Sequence, residues 1–233
     1  MNSGPLLFLG IFLSMAGSFW GLILLPQIQI GRQQPITIEA TGAIYPVPRA
    51  GEAQQGAEVY RSLGCVECHS QQVRVSAGDF QRGWGRRIAV AQDYLYDYPV
   101  LIGNQRIGPD LANYGLRATA FTNILQHLYH PQGIWPESMM PSYRFLFERR
   151  KLARGEKEPA DTIFVLNKSD LNPGEAIVPR PAARALAAYL QSLRADVPLF
   201  EAPVPRPATN APPAATTTNA PVAPVAPSPA PAK

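Results

Sequence analysis

The longest apolar stretch of the chain lies at its N-terminus. No residue from Met1 to Gly31 carries a side-chain charge, and Leu6 to Leu25 is apolar apart from two serines and several small residues. Twenty helical residues span about 30 Å, the thickness of the hydrocarbon core of a bilayer. The pattern therefore predicts a transmembrane anchor over residues 1–31. A cleaved signal peptide is the alternative, but it would have a basic N-terminal region, a shorter apolar stretch and a small-residue cleavage site.

Three later segments have apolar residues at helical spacing, so that each predicts a helix with one buried face. Gly64 ends the first segment, Pro131 stops the second, and Pro181 suits the first turn of the third. No run of alternating apolar and polar residues stands out as a set of strands. The predicted fold class is therefore all-α, with one soluble domain over residues 52–197. The predicted helices are Glu52–Leu63, Ala120–Tyr129 and Pro181–Leu193.

The segments that flank this domain are rich in proline. Residues 32–51 contain Pro35, Pro46 and Pro48, and they predict an extended linker that lifts the domain off the membrane. The stretch from Glu201 to the C-terminus contains ten prolines. Because proline lacks a backbone donor and fixes φ, neither helix nor sheet can propagate there. Residues 198–233 are therefore predicted to be a disordered tail with polyproline II character.

The charge balance is mild. A net charge of +4 and the lack of a recognised nucleic-acid motif argue against nucleic-acid binding. One basic run stands out, and it could be a solvated helix face or loop, or a docking patch for an acidic electron-transfer partner. Its members are Arg144, Arg149, Arg150, Lys151, Arg154 and Lys157.

The strongest chemical signal is a C-x-x-C-H motif formed by Cys65, Cys68 and His69. This spacing is typical of covalent c-type haem attachment, because two thiols three positions apart can each form a thioether to one porphyrin. The next residue, His69, is then the proximal iron ligand. The motif predicts one covalently bound haem c.

Three other kinds of site use paired cysteines. A structural zinc site would need about four ligands, and these are the only two cysteines of the chain. A thioredoxin-like redox pair needs a βαβ context that this region lacks, and a structural disulfide is the other use of two thiols. Haem attachment is the interpretation that the residues favour.

The sixth iron ligand decides what the haem can do. Met140 precedes Pro141. The haem motif resembles that of small c-type cytochromes, and this resemblance implies a methionine ligand on a loop just before a proline, so we choose Met140 with Met139 as the alternative. His127 and His130 are rival ligands. A methionine ligand gives a higher reduction potential than a second histidine, which suits delivery of electrons towards oxygen. With both axial positions filled, the chain carries one electron and performs no bond chemistry of its own.

The layout resembles a small class I-like c-type cytochrome, in which a helix leads into C-x-x-C-H and a last helix crosses the first. The resemblance implies that Tyr60 and Tyr189 meet at that crossing. It also implies that the Gly108–Pro109 segment runs beside His69, where the Pro109 carbonyl would accept a hydrogen bond from the imidazole.

From about Gly51 to Tyr143, the order and spacing of several motifs resemble the mono-haem cytochrome subunit (subunit II) of cbb3-type, or C-family, haem–copper oxidases. The resemblance implies that His69 and Met140 are the axial ligands, and that a catalytic subunit reducing oxygen to water is the partner. A dihaem cytochrome c subunit or a soluble cytochrome c would supply the electrons. The motifs are Gly64–Arg74, Tyr96–Pro99, Arg106–Leu111, His127–Tyr129 and Pro136–Pro141.

Some positions depart from that family. Tyr98 stands where the family usually has histidine, and His130 where it has asparagine. Arg74, Arg106 and Trp84 are candidate contacts for haem propionates, since buried carboxylates favour charge-assisted donors.

Charge alone weakly favours a cytoplasmic location for the C-terminal side of the anchor, because the nearest basic residue, Arg32, lies on that side. Covalent haem attachment takes place outside the cytoplasmic membrane, as is general for c-type cytochromes, so we expect a single-pass protein with an extracytoplasmic haem domain. Two other functions remain open: the cytochrome subunit of a nitric oxide reductase, and a free membrane-tethered electron carrier.

Overall fold

A computed structural model describes residues 3–75, 78–118, 120–153, 156–157, 159–163 and 174–199 of the chain. Within these ranges the architecture is mainly helical, with two small antiparallel sheets. The helices are α1 (Gly4–Gln29), α2 (Gly51–Ser62), α3 (Tyr114–Arg117), α4 (Phe121–Tyr129), α5 (Pro131–Ile134) and α6 (Pro181–Ser192). The strands are β1 (Ile36–Thr37), β2 (Ile44–Tyr45), β3 (Phe147–Lys151) and β4 (Glu175–Pro179).

Helix α1 is long and apolar enough to cross a membrane, and none of its side chains is buried in the protein. Its 26 residues span about 39 Å, more than the roughly 30 Å core of a bilayer. The turn Trp20–Leu24 is π-helical, with the Leu25 amide bonded to the Trp20 carbonyl, next to Pro26, which has no amide hydrogen to donate. The Ser18 hydroxyl bonds the Ser14 carbonyl at 2.9 Å, which satisfies it inside an apolar helix.

The three helices predicted from periodicity are confirmed as α2, α4 and α6. Gly64 follows α2 with a φ of +70°, a left-handed conformation that glycine adopts without strain and that turns the chain towards Cys65.

Helices α2 and α6 cross at the centre of the domain. The rings of Tyr60 and Tyr189 lie 5.3 Å apart there, as the resemblance implied. A Cβ added at Gly56 would lie 1.9 Å from the Ala185 carbonyl oxygen, so the crossing needs glycine for the backbones to approach. Leu125 of α4 and Leu186 of α6 complete the buried apolar core beside them.

The expectation of an all-α domain is wrong in one respect, because strands are present. Strand β3 pairs with β4 from Phe147 opposite Pro179 to Lys151 opposite Glu175. Four of the five β3 residues are exposed, whereas β4 is buried from Ala176 onwards. The part of the basic run at Arg149–Lys151 is therefore an exposed edge strand, and not a helix face or a loop. Charged side chains on such an edge discourage pairing with another chain.

Residues 32–51 are not a free linker. Strands β1 and β2 form a hairpin, and its Tyr45 is buried with its hydroxyl donating to Asp93 at 2.7 Å. Asp93 also binds the guanidinium of Arg87 at 2.6 Å, and the Arg87 side chain has no exposed surface. Arg49 donates to Asp97 and, at 3.1 Å, to Ser192 of α6. These polar contacts hold the hairpin against the domain, an outcome that proline content alone could not indicate.

Candidate haem-binding site

The two cysteines lie on one short turn. Residues Cys65–Glu67 form a 3₁₀ turn, and the amides of Cys68 and His69 both donate to the Cys65 carbonyl, at 3.2 and 3.0 Å. Side chains three positions apart in such a turn project in the same direction. Both thiols are free rather than joined in a disulfide, so the turn carries two thiols three positions apart, followed by an imidazole.

The Gly108–Pro109 segment orients the imidazole of His69, as the resemblance to c-type cytochromes implied. Its Nδ1–H donates to the Pro109 carbonyl oxygen at 2.8 Å, which leaves the Nε2 lone pair for a metal ion. Burial lowers the pKa of His69, although the Pro109 carbonyl and the nearby carboxylate of Asp110 act in the opposite direction. Both the tautomer and the neutral form are those that iron ligation requires.

Two glycines allow the chain to pass this close to His69. A Cβ added at Gly108 would lie 2.3 Å from Cε1 of the imidazole, and one added at Gly103 would lie 2.4 Å from the His69 carbonyl oxygen. Gly103 also has a φ of +72°. The Gly108 amide donates to the Cys68 carbonyl at 2.9 Å, which ties this segment to the attachment turn. Gly103 was not identified from the sequence, because nothing local distinguishes it from a turn glycine.

A buried carboxylate locks the two segments together. Asp110 is completely buried and accepts hydrogen bonds from the Ser70 hydroxyl and the Gln72 amide, both at 2.7 Å, and from the Ala112 amide at 2.9 Å. The Leu111 amide returns a bond to the Ser70 carbonyl at 2.7 Å. Because a buried carboxylate must be satisfied by donors, this network fixes the Pro109 carbonyl beside His69. Asp110 belongs to a motif that is recognisable in the sequence, but the motif does not indicate this role.

The two arginines that are candidate propionate contacts have protein partners in the described structure. Arg106 donates to Asp79 at 2.5 Å and to Ser70 at 2.9 Å, and its guanidinium lies 6.0 Å from the ring centre of Trp84. Arg74 donates to the Gln72 side chain at 2.9 Å. Arg106 thus neutralises buried carboxylates next to the attachment turn.

The methionine pair is held on the loop after α5. Gln132 donates from Nε2 to the carbonyls of Met140 at 2.7 Å and of Ser138 at 3.0 Å. Met140 is partly buried and packs against the core, whereas Met139 is 79% exposed. This geometry distinguishes two neighbouring residues that the sequence left as alternatives, with Met140 on the inner side.

The two rival histidines lie on or next to α4. Burial lowers the pKa of His127, and the positive charge of a protonated His69 would lower it further. His130 follows the helix, and its buried Nδ1 has no hydrogen-bond partner among the described residues. Gly133 gives room for the His130 ring, since an added Cβ would lie 2.4 Å from its Cδ2.

Tyr143 is a site residue that the sequence did not indicate. Burial raises the pKa of Tyr143 to about 12, and the electrostatic influence of the Cys65 thiol acts in the same direction. The Tyr143 amide donates to the Leu128 carbonyl at 2.9 Å. This bond connects the end of the methionine loop to α4, so the loop that carries Met140 returns to the attachment turn.

These residues fit the protein side of a c-type haem site. Two thiols three positions apart, a neutral imidazole with Nε2 available and a partly buried thioether are the donor set that such a haem requires. The close approach of Gly108 to the imidazole supports the same assignment, since it positions the ring through Pro109.

Comparison with known families gives one match. The family model described as "Cytochrome C oxidase, mono-heme subunit/FixO" matches residues 35–168, which is more than half of the chain. The match includes the attachment turn, the Gly108–Asp110 segment and the methionine loop, and it begins just before β1. Comparison with curated proteins gave no match.

Proposed function

Because this chain belongs to the family of mono-haem cytochrome c oxidase subunits, we propose that it is the membrane-anchored electron-relay subunit of a cbb3-type oxidase. It would pass electrons to a haem–copper catalytic subunit that reduces oxygen to water. The observation that carries the proposal is the attachment turn locked beside Pro109 and Asp110 within the region that matches the family.

The geometry of the site supports one set of haem ligands. Cys65 and Cys68 would form the thioethers, His69 would ligate iron through Nε2, and Met140 would fill the sixth position. A bound haem iron supplies one-electron chemistry by alternating between its ferrous and ferric states. The Pro109 carbonyl holds the imidazole in one tautomer, its surroundings partly bury it, and His69 and Met140 would together hold the iron. No substrate would then reach the iron, and the chemistry on oxygen belongs to the catalytic subunit.

The crossing of α2 and α6 with Tyr60 against Tyr189 supports a class I-like cytochrome c domain that carries two additional small sheets. The disordered state of residues 198–233 remains a prediction, since residues 200–233 lie outside the described part of the chain. The domain limits at residues 52 and 197 are likewise a prediction.

Helix α1 fits a single-pass anchor in the cytoplasmic membrane. We place the haem domain on the extracytoplasmic side, because covalent haem attachment takes place there. The electron donor would be a dihaem cytochrome c subunit or a soluble cytochrome c. Nothing in the charge pattern calls for a nucleic-acid partner.

The test is purification from native membranes in mild detergent, with haem spectra and oxygen uptake measured on the same fraction. We expect b-type haem and oxygen uptake to co-purify with the c-type haem of this chain. A c-type spectrum alone would favour a free tethered carrier, and nitric oxide consumption without oxygen uptake would favour a nitric oxide reductase subunit.

A further inference from the structure

An exposed apolar groove lies on the outer side of the β1–β2 hairpin. It has a volume of about 490 Å³. None of its lining residues carries a charged side chain, and two of them are large exposed aliphatics, Ile44 at 59% and Val47 at 71%. Apolar surface that a fold leaves exposed and contiguous usually marks a contact site. The groove is lined by Gln34, Pro35, Thr37, Ile44, Val47, Pro48 and Tyr96.

The fold forces this surface outwards. Neighbouring strand residues point to opposite faces, so burying Tyr45 exposes Ile44. Tyr45 is held in place by its bond to Asp93, and the Gln34 carbonyl accepts a hydrogen bond from Gln92 at 2.7 Å. The hairpin cannot turn over to bury Ile44 without breaking these contacts. The exposure is therefore a fixed property of the folded domain.

The groove also lies close to the membrane anchor along the chain. Helix α1 ends at Gln29, and the first groove residue is Gln34. Five residue steps reach at most about 18 Å even when fully extended. Since α1 is longer than the bilayer core, the groove lies near the surface of the membrane that the helix would cross.

We propose that this groove is the docking site for an apolar extracytoplasmic segment of the oxidase's membrane-embedded catalytic subunit. The inference rests on the proposed function, and it assigns the partner's contact to a specific surface of this chain. An uncharged groove suits an apolar segment, because a charged one would lose its hydration there without gaining a partner. A partner that spans the same membrane necessarily has chain at this height, whereas a soluble donor does not.

The first experiment is site-specific photo-crosslinking in native membranes. With p-benzoylphenylalanine in place of Val47, irradiation should join this chain to the subunit that carries b-type haem. The matched control places the same residue at Val75, which is 63% exposed and does not line the groove, and it should give no such product. A crosslink to lipid alone, or to the C-terminal tail of this same chain, would overturn the proposal.

The second experiment measures the contribution of the contact. Ile44→Glu places an unpaired carboxylate in the groove, and we expect the b-haem recovered per c-haem to fall by roughly ten-fold, with Val75→Glu unchanged. Covalent haem content and the thermal unfolding midpoint report whether the variant is folded. If the unsubstituted chain brings down no b-haem, the proposed function fails. If it does and Ile44→Glu brings down as much, the groove assignment alone is wrong.

Discussion

The approach of Gly108 to the imidazole allows a sharp test of how the site holds its proximal ligand. In Gly108→Ala, the new Cβ would lie 2.3 Å from Cε1 and 2.7 Å from Nδ1 of His69, where ordinary contact begins near 3.4 Å. The ring must therefore retreat by about 1 Å, because the glycine backbone is held by the Cys68 carbonyl. That movement stretches the 2.8 Å bond from Nδ1 to Pro109 beyond the ~3.2 Å limit of a useful hydrogen bond.

The lost bond has a calculable effect on the iron. A hydrogen bond of this kind contributes about 0.5–1.5 kcal/mol. It makes the imidazole a stronger donor and so favours ferric iron, and its loss should raise the reduction potential. For one electron, a ten-fold change in equilibrium is about 59 mV. If the bond stabilised the ferric form alone, its loss would raise the potential by roughly 20–60 mV, which is the upper limit of the shift. Covalent haem should stay at the normal level, since both thiols are untouched.

Potentiometric titration of the purified variant measures this shift, and denaturing gels stained for haem measure attachment. Gly51→Ala is the matched control, because nothing lies within 4 Å of its added Cβ, and it should leave the potential unchanged. Gly56→Ala is a second control that disturbs the fold but not the ligand. Its Cβ would collide with the Ala185 carbonyl, so the substitution should lower the unfolding temperature. A Gly108→Ala protein with an unaltered potential would refute the role given to the Pro109 bond.

The other predictions concern the distal ligand, the hairpin contacts and alkaline pH. Met140→Ala should lose the absorbance band of Met-ligated ferric haem while keeping covalent haem; if Met139→Ala does so instead, the ligand choice is wrong. Arg87→Met removes the ion-pair partner of the buried Asp93 carboxylate, so the free energy of unfolding in denaturant should fall by about 3–5 kcal/mol. The control Arg86→Met removes an exposed ion pair and should cost less than about 1 kcal/mol. Equal losses in the two variants would contradict the argument. Burial raises the pKa of Tyr45 far above the usual value of about 10, so the unfolded chain loses this proton first. Stability should be unaffected by this group below about pH 10 and fall above it, and a thermal midpoint that stays constant to about pH 11.5 would count against this.

Local signals in the sequence were sufficient for the helices and for the attachment turn. Periodic apolar positions are read within one element, and Cys65, Cys68 and His69 occupy a single turn whose chemistry needs no other part of the chain. The β3–β4 pair gave no such signal. Strand β3 is an edge strand of mostly charged residues, and the apolar run Ala176–Val178 is too short to distinguish a strand from other buried structure.

The residues that orient the site depend on contacts distant in sequence. Asp110 acts through Ser70, forty positions earlier, and Tyr143 reaches Cys65 from the far side of the methionine loop. Neither pairing has a spacing that can be recognised in the sequence, because tertiary packing creates it. The same holds for the choice between Met139 and Met140, which differ only in the side of the loop they face.

The hairpin contacts also decide where this chain could be cut or grafted. A soluble fragment that began at Gly51 would leave behind Tyr45 and Arg49. It would lose the hydroxyl that donates to Asp93 and the guanidinium that pairs with Asp97. Its apolar core would be intact, yet the surface that the hairpin covers would be open to water. A fragment that began at Gln33, just beyond α1, would keep every one of these contacts. The transferable unit is therefore the haem domain together with its hairpin, and a foreign anchor could be joined only at residues 30–33.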